Sequence, residues 1–156
     1  TVGGQWPRVN AIPFDARHRF MATLHHDHEG HAVALAKGAP ERILSMCSAQ
    51  RSAAGDEPLD AAAWRDAADA IAAGGQRVLA LATRRMRAGS SALAFADVEG
   101  PLVLLGLVGL IDPPRPEAVQ AVADCRRAGI RVKMITGDHA GTAAAIGRQV
   151  GLEAPD

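Results

Sequence analysis

Cysteine is scarce in this 156-residue chain. Its two copies, Cys47 and Cys125, stand far apart and outside any CxxC spacing, which excludes a disulfide framework and a zinc knuckle and fits a reducing compartment. Net charge is also lacking: seventeen basic residues balance seventeen acidic ones. No global field therefore draws the chain to nucleic acid, an anionic membrane or acidic ligands, and any recognition of charge is local. Long hydrophobic runs are missing too. The longest, residues 102–111, is about half of the ~20 residues that a membrane-crossing helix needs, and nothing ahead of it has signal-peptide composition. A soluble chain is expected. What is abundant is ordinary core material: 48% of the residues are hydrophobic, enough for one normal core or two small ones.

Residues 11–24 read as extended, "HHDHEGH" has the composition of a turn, and "AVALAKG" reads as a second extended run, so a β-hairpin is expected. His25, His26, His28 and His31 crowd that turn. Such a cluster can bind a transition metal. A solvated loop tip is the simpler reading, because metal sites draw their ligands from rigid, supported elements. Met21 and Leu24 are expected in the core.

"GAPERILSMC" places Pro40 where a first helical turn tolerates it, with Ile43, Leu44 and Cys47 at helical spacing. "SAAGDEPLD" reads as a loop. A helix is expected from about Asp60, with Trp64, Ala68 and Ile71 inward and Gly74-Gly75 as its stop. "RVLALATRRM" reads as a strand and "AGSSALAFADVEG" as a loop.

From Pro101 the pattern changes. "LVLLGLVGLI" is nearly continuous in apolar residues, as in a strand buried on both faces. "DPPRPEAVQAVADCRRAG" breaks it with three prolines and predicts a helix from Pro116 to a Gly129 cap. "IRVKMI" predicts a second buried strand and "GTAAAIGRQVG" a second helix. Strand, helix, strand and helix at this spacing make a right-handed βαβ unit of a parallel sheet. The opening "TVGGQWPRVN" has no initiator methionine and "GLEAPD" stops just after that unit, which suggests a piece of a larger protein.

Two clusters have residue types suited to chemistry. Thr136-Gly137-Asp138 lies where the second predicted strand meets its helix, at the sheet edge where open parallel sheets bind ligands. A threonine hydroxyl, a glycine that admits close backbone approach and a helix N-terminus suit phosphate. Asp138 equally suits the N-cap of the following helix. Asp112-Pro113-Pro114-Arg115 is either a stiff hinge, since consecutive prolines hold the chain extended, or a hinge with two ligand contacts.

"KGAPE" (residues 37–41), "DPPRP" (residues 112–116) and "MITGDHAGTAAAIG" (residues 134–147), in that order and with "RVLALA" between the first two, resemble a P-type cation-transporting ATPase, nearest the calcium-pump-like branch. The resemblance runs from about Ile12 to Leu152. It implies a membrane pump with cytosolic nucleotide-binding, phosphorylation and actuator domains. The implied fold class is α/β: an α+β nucleotide-binding lobe with an antiparallel sheet and flanking helices, then a βαβα piece of a Rossmann-like domain of the haloacid dehalogenase type. Residues 1–100 would be the C-terminal part of the nucleotide-binding domain, 101–111 a connecting strand, and 112–156 part of the phosphorylation domain.

By the same resemblance, Phe14 in "IPFDARHRFM" matches the aromatic that stacks on adenine, Arg19 a basic residue near the nucleotide, and Lys37, followed by Gly38, the lysine deep in the adenine pocket. Arg77 matches an arginine that reaches toward the phosphates. Asp112 and Arg115 match hinge residues that align the nucleotide. Thr136, Gly137 and Asp138 match the loop contacting the transferred phosphoryl group. ATP and Mg²⁺ are the implied ligands and the rest of the pump the implied partner, on the cytoplasmic face of a bacterial plasma membrane. The chain departs from the family pattern in lacking the phosphorylated aspartate of a D-K-T-G-T box, the G-D-G-x-N-D magnesium box, the first half of the nucleotide-binding domain and every transmembrane helix. Alone, it is expected to be inactive. Two other readings are a stand-alone phosphohydrolase of the haloacid dehalogenase type, which needs a D-x-D pair absent here, and a non-catalytic nucleotide-binding module.

Overall fold

The computed structural model describes residues 6–111, 113–136 and 140–152. They fall into two compact units, one of Thr1–Asp66 with Leu79–Val108 and one of Ala67–Val78 with Gly109–Asp156.

Most of one sheet lies in the first unit. Strands β1 (Arg8–Asp15), β2 (Phe20–His26), β3 (Ala32–Gly38), β4 (Cys47–Ser52), β5 (Gly55–Pro58), β6 (Arg77–Met86) and β7 (Leu102–Leu110) lie in the order β1-β2-β3-β6-β7-β4-β5. β1 to β3 and β6 pair antiparallel, whereas β4 runs parallel to β7. Helices α1 (Pro40–Met46), α2 (Ala61–Ala73) and α3 (Phe95–Val98) accompany the strands.

Alternation decides which face of the sheet is dry. Along β2, Phe20, Ala22 and Leu24 are buried while Met21 and Thr23 are half-buried. Along β3, Ala32, Ala34 and Ala36 are buried while Leu35 and Lys37 are exposed. The buried set joins Ile43, Leu44 and Met46 of α1, Val98 of α3, and Leu102 and Leu104 of β7 in one core. Alanines on the strands leave the volume that Ile43 and Leu44 fill, and each large side chain removed from water here contributes roughly 1.5–3 kcal/mol. Gly38 closes β3 where any Cβ would overlap the Arg19 carbonyl oxygen and lie 2.7 Å from Phe20 Cα.

Several expectations need correction. The extended run at residues 11–24 is two strands, because residues 16–19 turn: the Asp15 carbonyl accepts from His18 and Arg19 backbone amides at 3.1 and 2.8 Å. The expected loop at residues 52–60 is a hairpin of β4 and β5. The loop at residues 88–100 contains the short α3. Met46, not Cys47, completes the buried side of α1. Residues 102–110 form a strand with Leu102 and Leu104 buried but Leu105, Val108 and Leu110 exposed, so burial on both faces does not hold.

The second unit is helical. It holds α4 (Pro116–Arg127) and α5 (Ala140–Gln149) with the end of α2. Gly75, at φ +79°, ends α2 in the left-handed region, where an added Cβ would come within 2.9 Å of Ala145 in α5. The predicted strand at residues 130–135 does not form: these residues have no regular structure, and Ile135 is 98% exposed. A parallel strand holds its place by hydrogen bonds to neighbours, and among the described residues none pairs with this segment. The βαβ unit is therefore incomplete here. Among the described residues, no helix is long and apolar enough to cross a membrane.

Candidate functional site

The face of the sheet opposite the core carries the candidate site. Register aligns it: Met21 of β2 pairs with Lys37 of β3, which pairs with Leu81 of β6. On the outer side of β2, Ile12 pairs with Ala22 but Asp15 pairs with Phe20, so one extra residue is accommodated between them. This β-bulge places Pro13 and Phe14 together opposite Met21 and takes Phe14 out of the core-facing set. Phe14 is accordingly 63% exposed, against 5% for Ile12 two residues earlier. Phe14, Met21, Lys37 and Leu81 thus form a row across four strands.

Beside this row the twisted sheet forms a shallow groove of about 290 Å³, lined by Met21, Thr23, Leu35, Lys37, Leu81 and Leu105 with the alanines between them. That is near the lower end of the roughly 300–1,000 Å³ of ligand pockets. Its walls are apolar except for the Thr23 hydroxyl and the Lys37 ammonium. Among the described residues no carboxylate pairs with Lys37. An apolar, shallow slot with one cation and one hydroxyl suits a flat heteroaromatic ring with polar atoms on its edge.

The turn that leads into Phe14 is firmly held. Asp15 Oδ1 accepts from the Arg17 backbone amide at 2.8 Å, and its Oδ2 accepts from Arg17 Nη2 at 2.8 Å. The Arg17 side-chain hydrogen bond, with the backbone one, holds the Asp15 carboxyl below its usual range. Arg19 adopts a left-handed φ of 58°. Its guanidinium meets Glu41 Oε1 at 2.6 Å in a solvent-exposed pair, an arrangement worth little stability on its own but one that ties the turn to α1.

The expected site residues divide by unit. Phe14, Arg19, Lys37 and Gly38 are together in the first. Phe14 and Lys37 are on the groove row, Gly38 ends the strand that carries Lys37, and Arg19 sits at the adjoining turn. Arg77, Arg115 and Thr136 belong to the second unit, each exposed, with Arg115 at the N-cap of α4. Asp112, Gly137 and Asp138 lie outside the described residues. Met21, expected in the core, lines the groove instead. Leu35, Leu81, Thr23 and Leu105 went unnoticed as lining residues. The signal was available, since Leu35 is two residues from Lys37 on a strand and period-2 alternation puts both on one face.

The histidine turn resolves into two parts. His25 and His26 belong to β2, and both ring nitrogens of His25 are engaged, Nδ1 with the Trp6 carbonyl at 3.0 Å and Nε2 with Thr23 Oγ1 at 2.9 Å. His26 Nε2 contacts the Ser90 carbonyl. In the true turn, Asp27 Oδ1 accepts from the Glu29 and His31 backbone amides at 2.9 and 2.8 Å, and Oδ2 meets His31 Nδ1 at 2.7 Å. The Asp27 hydrogen bond, followed by its charge, raises the His31 pKa. Desolvation pushes the Asp27 carboxyl upward, but the hydrogen bonds from His31 and Glu29 outweigh it and the net shift is downward. Asp27, Glu29 and His31 bring three ligand-type atoms within 4.8 Å of one another.

The model of the family described as P-type ATPase, cytoplasmic domain N, matches residues 2–117. The probable cation-transporting ATPase F of Mycobacterium tuberculosis is 49% identical over 150 residues, covering 94% of the chain and 16% of that protein. Cation-transporting ATPase pma1 of Synechocystis is 41% identical over 154 residues, 98% of the chain and 17% of that protein. Calcium-transporting ATPase lmo0841 of Listeria monocytogenes is 38% identical over 148 residues, 93% of the chain and 17% of that protein. The chain therefore spans about a sixth of the length of these curated relatives.

Proposed function

The chain belongs to the P-type cation-transporting ATPases, and from that premise we propose that its first unit holds the adenine of ATP in the groove on the open sheet face. The carrying observation is the row Phe14, Met21, Lys37 and Leu81, in which a bulge turns an aromatic ring out of the core on the same face as a lysine that pairs with no carboxylate among the described residues. A purine would stack on Phe14, a contact worth roughly 1–3 kcal/mol by analogy with base stacking on aromatic side chains. Met21, Leu35, Leu81 and Leu105 exclude water from its edge. The Lys37 ammonium donates to ring nitrogens or phosphate oxygens, and Arg19, paired with Glu41, is the basic residue near the nucleotide at the adjoining turn.

In this reading, residues 1–100 are the later part of the nucleotide-binding domain, 101–111 the connecting strand and 112–156 part of a phosphorylation domain of the haloacid dehalogenase type. Arg77, Asp112 and Arg115 direct the phosphates, and Thr136, Gly137 and Asp138 contact the transferred phosphoryl group. The nucleophilic aspartate belongs to the parent protein outside these residues, as do the ligands of the Mg²⁺ that accompanies ATP and screens its phosphates. The parent couples hydrolysis to cation movement across the plasma membrane, together with its own actuator and transmembrane domains. The isolated chain binds nucleotide and does not turn it over.

Displacement of a fluorescent adenine nucleotide analogue by ATP tests the site. The intact chain should bind the analogue and release it to ATP, and Phe14→Ala should weaken binding by roughly 5- to 150-fold, the equivalent of the stacking energy, with unchanged circular dichroism. Equal affinity in the folded variant would overturn the assignment of Phe14.

A further inference from the structure

On the reading that the groove holds a nucleotide base, we propose that Thr23 selects which base, acting as a hydrogen-bond acceptor fixed in that role by His25. The argument follows the proton. His25 Nδ1 lies 3.0 Å from the Trp6 carbonyl oxygen, and Nε2 lies 2.9 Å from Thr23 Oγ1. A carbonyl can only accept, so in a neutral imidazole the proton sits on Nδ1 and Nε2 presents its lone pair. The hydroxyl must then donate to Nε2, which occupies its single proton. What remains on Oγ1 is acceptor capacity only.

Thr23 is one of the residues that line the groove, and no other side chain among them carries an oxygen. Met21, Leu35, Leu81 and Leu105 contribute apolar surface, and the ammonium of Lys37 is a donor with no acceptor. Adenine presents a 6-amino donor, whereas a 6-oxo purine presents an acceptor at the same position. Against Thr23 the amino group completes a hydrogen bond. The oxo group meets a lone pair there and leaves the Thr23 oxygen without a donor. The Lys37 ammonium can donate to N3 or N7, the ring nitrogens that accept in both purines. Apolar contact alone separates such similar rings poorly, whereas a site built to pair with one polar group rejects the analogue that lacks it.

The test compares ATP with ITP, which share sugar and phosphates and differ in the 6-substituent and in the proton that the 6-oxo ring carries on N1, by competition for the intact chain at pH 8, above the ordinary histidine range. The wild-type chain should favour ATP by roughly 10-fold, the cost of one unpaired polar group. Thr23→Val should bring the two affinities within about 2-fold of each other, with the loss falling on ATP. Thr23→Ser keeps the hydroxyl and should keep the preference. His25→Ala frees the hydroxyl to rotate and should improve ITP relative to ATP. If a folded Thr23→Val chain retains the wild-type ratio, or a folded Thr23→Ser chain loses it, the role of Thr23 is refuted while the nucleotide site stands. If the wild-type chain binds neither nucleotide, the site itself is refuted, and the Thr23 inference with it.

Discussion

The two units treat similar apolar strand-like sequence in opposite ways. In the first, "FMATLHH" and "AVALAKG" pair along their whole length and bury Phe20, Leu24 and the alternate alanines. In the second, residues 130–135 are just as apolar yet stay irregular, with Ile130 57% and Ile135 98% exposed, and α4 has no buried residue. Composition alone does not make a strand. Hydrogen-bonding neighbours and a covering layer do, and only the first unit has both among the described residues.

Core truncation should break this contrast most visibly. Leu24→Ala or Ile43→Ala should cost about 2–5 kcal/mol in urea denaturation, whereas Ile135→Ala should change stability by less than ~0.5 kcal/mol. Equal losses at the two places would remove the distinction between the units. Next comes Gly38→Ala, where the new methyl meets the Arg19 carbonyl and Phe20 backbone. Its cost should be roughly 1–3 kcal/mol or more, while Gly129→Ala in the second unit, with open space around its Cβ but a φ of +73°, should cost only the left-handed backbone strain of about 1–2 kcal/mol.

A smaller effect concerns Cys47. Burial pushes its thiol up to about 11, so at pH 8 only roughly a thousandth of it is thiolate. Alkylation of Cys47 should be slow in the folded chain and accelerate when urea unfolds the first unit. Rapid labelling without unfolding would show that the pocket around α1 is open.

The smallest expected effect lies at the hairpin tip. The His31 pKa is raised from 6.5, so its pairing with Asp27 contributes fully below that value and fades as pH rises through the folded one. The Asp27 pKa is lowered from 3.8, so its contribution is full above that value and fades as pH falls through the folded one. The melting temperature difference between the wild type and His31→Gln should therefore be greatest between pH 3.8 and 6.5 and shrink on either side. A difference that grows above pH 8 would reverse the assigned pairing.

Much of the fold was legible where its signals are local. Pro40 marked the start of α1, Gly74-Gly75 the end of α2, and "RVLALATRRM" coincides with β6 at both ends. The turn at residues 16–19 was not legible, because it depends on Asp15 capping backbone amides within a run of otherwise extended residues. The β4–β5 hairpin was hidden because residues 52–58 are polar and contain glycine, and because β4 itself is held by β7, far along the chain. At the proposed site, the family resemblance pointed to Phe14 and Lys37, which the fold places on one sheet face. The bulge that brings them to one face had a single local sign, Pro13, which a strand tolerates at an edge or at a bulge and which does not tell the two apart. For residues 130–135 the periodicity was sound, but strand formation depends on neighbours that no local pattern records.

The most direct test of the nucleotide site is an ATP titration of the isotopically labelled chain followed by backbone amide shifts. Saturable changes should concentrate at Phe14, Met21, Lys37 and Leu81 and leave the core-facing Leu24 and Ala34 nearly unmoved. Changes spread over both faces of the sheet, or none in that row at millimolar ATP, would contradict a nucleotide bound on the open face.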